Sequence, residues 1–203
     1  MLPFFVIKRI PPLEKKAKEL YMQRAYQIVP KITPFILPKD NVIDIGAGTG
    51  SIAKAVKKET QANVTLVDVA YNPICDQYPV LIYDGKNLPF KNNQFTVSIL
   101  TAVLHHTDNP SKVLDEAIRV SSDKIIVMED VFTGFLGRAI TFIGDCVVNW
   151  EIHSPFNNKS TDEWLKIFEK KNLKLINLEE FQLRVVGFPF KLAIFVLTEK
   201  QNV

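Results

Sequence analysis

Val42-Ile43-Asp44-Ile45-Gly46-Ala47-Gly48-Thr49-Gly50 decides how this chain folds. The apolar run ends in closely spaced glycines and leads into a helix-forming stretch, Ser51 to Lys58. It reads as a buried strand, a tight turn and a helix. Glycines fit such a turn because a side chain at Gly46 or Gly48 would fill the space through which the backbone approaches a ligand. A dinucleotide loop follows Gly-x-Gly-x-x-Gly and would need glycine at position 51. Here Ser51 stands at that position, and the third glycine, Gly50, comes one residue early. Asp44, just before the turn, adds negative charge where a pyrophosphate would sit. The loop therefore favours a nucleoside without phosphates over a nicotinamide dinucleotide, and an oxidoreductase is the weaker reading.

Outward from the loop, strands and helices alternate. Leu13, Ala17, Leu20, Tyr21, Ala25 and Ile28 fall at helical spacing, and Pro30 and Pro34 are expected to end that helix. Asn63 to Val67 is a second strand closed by Asp68, a strand-end carboxylate able to accept both hydroxyls of a ribose. Pro79 to Tyr83 and Val97 to Thr101 read as two further strands. Asp108-Asn109-Pro110 opens a helix with a polar cap and proline at its first position. Lys124 to Met128 is the next strand. Ser160 and Glu163 have capping-box spacing before a helix that buries Trp164, Ile167 and Phe168. Phe181 to Val186 and Leu192 to Leu197 read as an antiparallel pair. The pattern predicts an α/β domain, a mostly parallel sheet with helices on both faces.

Composition narrows the class. The 203 residues are 47% hydrophobic and 23% charged, which suits one globular domain over 1–203 with an N-terminal helical cap at 1–38. The net charge of +3 is spread among glutamates. No concentrated basic surface is read, and no nucleic-acid partner is expected. Cys75 and Cys146 have neither disulfide-scaffold nor zinc spacing, so a cytoplasmic location is expected. The apolar Leu2 to Ile7 precedes Lys8-Arg9, the reverse of a signal peptide. It leaves open packing on the domain, covering the pocket or peripheral contact with a membrane. No run reaches the roughly 18 apolar residues of a membrane span.

Asp44 to Gly50, Asp68, Asp84-Gly85, Leu88-Pro89-Phe90, Phe95, Leu104-His105-His106 and Arg119-Val120 together resemble the successive motifs of the class I S-adenosylmethionine-dependent methyltransferases. The likeness is greatest to the small-molecule branch that includes ubiquinone and menaquinone biosynthesis methyltransferases. It implies a Rossmann-like seven-stranded sheet in the order 3-2-1-4-5-7-6, with the last strand antiparallel, and S-adenosylmethionine as cofactor. Asp44, Gly46, Ala47 and Gly48 would then hold the methionine end, with Asp68 and Val69 at the ribose. Asp84 and Gly85 would meet the adenine, and Thr101 and Ala102 would line the methionine side. Tyr21 or Arg24 would close over the carboxylate. Two departures stand out: Thr96 replaces the usual Asp after Phe95, and Ser121-Ser122-Asp123 replaces the usual Pro-Gly-Gly turn.

Methyl transfer is an in-line displacement that needs alignment and exclusion of water, and needs a base only when the acceptor must lose a proton. His105 and His106 follow the fourth strand at the expected crevice and are the catalytic candidates. In an extended segment they would point opposite ways, with one in the pocket; ordering the loop is the other reading. Glu129 and Asp130 end the fifth strand and could grip a polar acceptor, a salt bridge or cap being the other reading, and Phe132, Trp150 and His153 are further candidate acceptor contacts. The three histidines lack metal-site spacing, so no metal is expected. The segment 131–160 reads as an acceptor-side insertion, an apolar lid with interspersed glycines, and implies a small apolar or amphipathic acceptor. A methyltransferase fold that binds cofactor or a partner without catalysis is the alternative from another class.

Overall fold

The alternation resolves into one mixed sheet with helices on both sides. The computed structural model describes residues 11–71, 79–132, 157–185 and 188–200. Among them run α1 (Pro11–Ile32), β1 (Asn41–Ile45), α2 (Ser51–Thr60), β2 (Asn63–Asp68), β3 (Val80–Ile82) and β4 (Phe95–Thr101). They continue with a 3-10 turn (Leu104–His106), α3 (Pro110–Val120), β5 (Ser121–Asp130), α4 (Thr161–Lys170), β6 (Leu173–Val185) and β7 (Phe188–Glu199). The sheet order is β3-β2-β1-β4-β5-β7-β6, as the resemblance implies. β1 to β5 pair in parallel, and β7 runs antiparallel to both β5 and β6.

Strand periodicity sorts the core into two layers. Val42, Ile99, Ile126 and Ile194 face α1 and α2, where they meet Ile28, Ile32 and Val56. Ile43, Ile45, Leu100, Val127 and Phe195 face α3 and α4, where Leu114, Trp164 and Phe168 cover them. Burying each of these aliphatic or aromatic side chains stabilises the fold by roughly 1.5–3 kcal/mol before chain entropy is charged against it. The central strands are apolar on both faces because both faces are covered.

The polar punctuation does as expected at two helix starts. Asn109 accepts the Lys112 N–H at 3.1 Å ahead of Pro110. Ser160 and Glu163 form a reciprocal capping box. Three boundaries differ from expectation. Helix α1 continues through Pro30 to Ile32. The missing N–H falls on the exposed side of the helix, where water can satisfy the carbonyl, while Val29 and Ile32 are fully buried and anchor the last turn. Ser121-Ser122-Asp123 forms no turn but begins β5, with Ser121 opposite Phe95 and its hydroxyl donating to Ala117 at 2.6 Å. The terminal hairpin is longer than its apolar runs, because β6 is an edge strand whose outer positions are polar or exposed.

Candidate active site

The strand order reverses between β1 and β4, and the crevice beyond their carboxyl ends is where ligands bind in open α/β sheets. Gly46, Gly48 and Gly50 adopt φ of +72°, +51° and +70°. Gly46 is further constrained: a Cβ there would lie 2.6 Å from Val103 Cγ2. A Cβ on Gly48 would meet nothing closer than 4.0 Å, so its freedom serves the backbone conformation. The turn is held from β2 as well. Gly46 and Ala47 donate to the Val67 carbonyl at 2.9 and 3.0 Å, and Asp68 Oδ2 accepts the Gly48 N–H at 2.7 Å.

A cavity of about 220 Å³ opens over this turn. Gly46, Ala47, Gly48, Thr101, Ala102 and His106 line it, as do Tyr21 and Arg24 of α1. Its apolar wall comes from Ile28, Met128, Leu183, Phe190 and Leu192, and Asp130 supplies a carboxylate. The apolar wall residues were not read as pocket lining in the sequence. The signal for several of them is register: Asp130 stands opposite Leu192 in the β5–β7 pair, and Leu183 opposite Phe190 in the hairpin. Ala102 holds a left-handed φ of +55°, and its N–H donates to Met128 at 2.7 Å. For an alanine this backbone carries strain that the loop must offset.

Asp44 lies beneath the turn, fully buried. Neither carboxylate oxygen has a hydrogen bond of ordinary geometry. Burial first, and then the charge of Asp68, push its pKa up to about 7, while the Ala53 N–H in the first turn of α2 opposes them in part. An orphaned buried carboxylate beside a glycine cradle is a fitting seat for a ligand's ammonium group.

Asp68, Val69, Asp84 and Gly85 form a neighbouring cluster at the ends of β2 and β3, outside the cavity lining. Asp68 Oδ1 accepts the Val69 N–H at 2.7 Å. Val69 Cγ1 would be 3.0 Å from a Cβ on Gly85, whose φ is +73°. Asp84 is exposed, and its Oδ1 accepts the N–H groups of Asn87 and Lys86 at 2.8 Å each. These bonds hold its carboxyl below the usual range. The other oxygen, Oδ2, accepts from the Asn87 side-chain amide at 3.5 Å.

The two histidines do not diverge. Leu104–His106 is a 3-10 turn rather than an extended segment, and the two rings lie 4.0 Å apart at 44°. His106 lines the cavity; burial and the neighbouring His105 push its pKa down to about 4. His105 is 1% exposed and sits behind it. Glu129, expected on the acceptor wall, is also a correction. It is fully buried, its Oε1 accepting the N–H groups of Val103 (3.2 Å) and Leu104 (2.8 Å) and its Oε2 bonding His105 Nδ1. Three protein donors converge on it, so Asp130, one residue on, faces the cavity instead. Phe132 is half-buried but does not line the cavity. Trp150 and His153 lie outside the described residues. Among the described residues no group of three His, Cys, Asp or Glu could hold a metal, and no helix is long and apolar enough to cross a membrane.

Residues 43–124 match a family model described as a methyltransferase domain. The match covers less than half of the chain; with the sheet order and the glycine turn it makes the chain similar to the class I S-adenosylmethionine-dependent methyltransferases and supports S-adenosylmethionine as the cofactor. The chain is 32% identical over 104 residues to an uncharacterised protein of Methanocaldococcus jannaschii, covering 50% of each. It is 28% identical over 122 residues to the ubiquinone/menaquinone biosynthesis C-methyltransferase UbiE of Burkholderia vietnamiensis, covering 53% of this chain and 50% of that one. The chain thus spans about half the length of the curated relatives it matches. In fold it is similar to the magnesium protoporphyrin IX methyltransferase of Synechocystis with bound SAH, at a TM-score of 0.65 and 14% identity over 89% of this chain and 84% of that one.

Proposed function

We propose that this chain transfers a methyl group from S-adenosylmethionine to a small apolar or amphipathic acceptor in the cytoplasm, as a single domain over 1–203 with 131–160 on the acceptor side. The observation that carries the reading is the Gly46–Gly48 turn, bonded to Asp68 and flooring a cavity whose far wall is Leu183, Phe190 and Leu192. When bound, the cofactor supplies a methyl group made electrophilic by a sulfonium. Asp68 and Val69 take the ribose, Asp84 and Gly85 the adenine edge. Asp44, Gly46, Ala47 and Gly48 hold the amino-acid end, with Thr101 and Ala102 beside it. The cavity is small for nucleoside and acceptor together, so the nucleoside extends along the β2–β3 ends. His106 stays neutral near pH 7 and orients the acceptor through its ring nitrogen. The apolar wall positions the acceptor and excludes water.

A thermal-shift series tests this reading. S-adenosylmethionine and S-adenosylhomocysteine should each raise Tm, and NAD should not. Stabilisation by NAD alone would overturn it.

A further inference from the structure

We infer that Asp130 is the base that takes the acceptor's proton, and that His105, braced by Glu129, is the positioning residue behind it. This rests on the methyl-transfer reading above. Asp130 is 5% exposed and lines the cavity, and its Oδ2 stands 3.8 Å from His105 Nε2. The other ring nitrogen of His105 bonds Glu129, which is itself fixed by the Val103 and Leu104 N–H groups. Glu129 thereby sets the ring plane and places Nε2 beside Asp130, at a distance longer than a hydrogen bond. The three side chains hold two carboxylates and one imidazole, so a proton arriving from the cavity neutralises buried charge instead of adding to it.

His106 shares the cavity wall but is ill suited to the same work. Protonating it would place a new charge on a half-buried ring 4.0 Å from the His105 ring, whereas a proton on Asp130 removes a charge. Among the described residues, the other titratable groups lining the cavity are Arg24 and Tyr21 of α1. Arg24 is a cation, and burial raises the Tyr21 phenol, so neither is a base at neutral pH. Among the described lining groups, that leaves the Asp130 carboxylate.

In the step assigned here, the acceptor O–H breaks and its proton passes to Asp130. The oxygen forms the new bond to the methyl group. The sulfur–methyl bond breaks with its electron pair staying on sulfur, giving S-adenosylhomocysteine. A carboxylate is basic enough only for an acidic hydroxyl, such as a phenol or enol. An aliphatic alcohol holds its proton too tightly.

The probe pair is 4-propylphenol and its methyl ether, titrated calorimetrically into the full chain with S-adenosylhomocysteine bound. The phenol should bind more tightly than the ether, which cannot donate to Asp130. In Asp130→Asn the amide oxygen still accepts that hydrogen bond. Phenol affinity should therefore stay within about threefold, while methylation of the probe by S-adenosylmethionine falls about 100-fold or more. Wild-type turnover should rise with pH through one ionisation and then level off, and His105→Gln should shift that midpoint. Equal binding of phenol and ether, full turnover in Asp130→Asn, or a flat pH profile would each overturn the assignment. Absence of phenol binding while S-adenosylhomocysteine still binds overturns the base and spares the methyltransferase reading. Failure of S-adenosylhomocysteine to bind overturns the methyltransferase reading itself.

Discussion

Asp68 Oδ2 accepts the backbone N–H of Gly48 at 2.7 Å, tying the end of β2 to the turn that follows β1. One carboxylate thus shapes the glycine turn and is also the proposed ribose partner, and substitution can separate the two roles. Asp68→Asn keeps an oxygen for Gly48 but loses the charge. Its Tm should stay close to wild type while S-adenosylhomocysteine binds about 10- to 100-fold more weakly by calorimetry. Asp68→Ala should lose both affinity and about 1 kcal/mol of stability.

Gly46→Ala places a Cβ 2.6 Å from Val103 Cγ2 on a backbone with φ of +72°. The left-handed conformation alone costs roughly 1–2 kcal/mol for a non-glycine residue, and the clash adds to it. Val103→Ala in the same chain should recover the clash part and leave the backbone part. Urea denaturation of both singles and the double mutant should therefore be non-additive. Additive losses would mean that the two residues do not press on each other.

Asp44 and His106 set opposing pH dependences. With a folded pKa raised to about 7, Asp44 binds more protons in the native state than in the unfolded one. Its contribution is fully present below its unfolded value and is lost as pH rises through about 7. His106, lowered to about 4, contributes stability above its unfolded value, and this is lost as pH falls through about 4. Asp44→Asn removes the first effect, so the variant should gain stability relative to wild type above pH 7. Denaturation at a series of pH values checks this. Because the proposed ammonium partner favours ionised Asp44, wild-type affinity for S-adenosylhomocysteine should also rise between pH 6 and 8.

Glu129→Ala would leave the half-buried Val103 N–H, the buried Leu104 N–H and the His105 ring without their carboxylate. Breaking such a buried pair costs roughly 3–5 kcal/mol, and the loss should appear in the urea midpoint. Since Val103 presses on Gly46, the variant should bind S-adenosylhomocysteine less tightly as well.

The turn and the strand ends were legible because their chemistry is local. Three glycines with positive φ, Asp68 at a strand end and the Ser160–Glu163 box each follow from residue type and spacing. Pro30 misled because its cost depends on which side of α1 meets solvent, a tertiary matter. For His105 and His106, one ring does line the cavity as expected, but a 3-10 turn sets the two side by side where an extended chain would part them. Glu129 and Asp130 were read together at the end of β5. Only the bonds from Val103 and Leu104 reveal that the first faces inward and the second faces the cavity. The apolar wall of Leu183, Phe190 and Leu192 depends on strands far from the loop in sequence, paired through the hairpin register.

A crystal structure of the chain with S-adenosylhomocysteine bound tests the central claim most directly. The ribose hydroxyls should lie on Asp68, the ammonium group over Asp44 beside Gly46 and Gly48, and the sulfur should face the cavity between His106 and Asp130. A nucleoside bound elsewhere, or a sulfur turned away from Asp130, would contradict it.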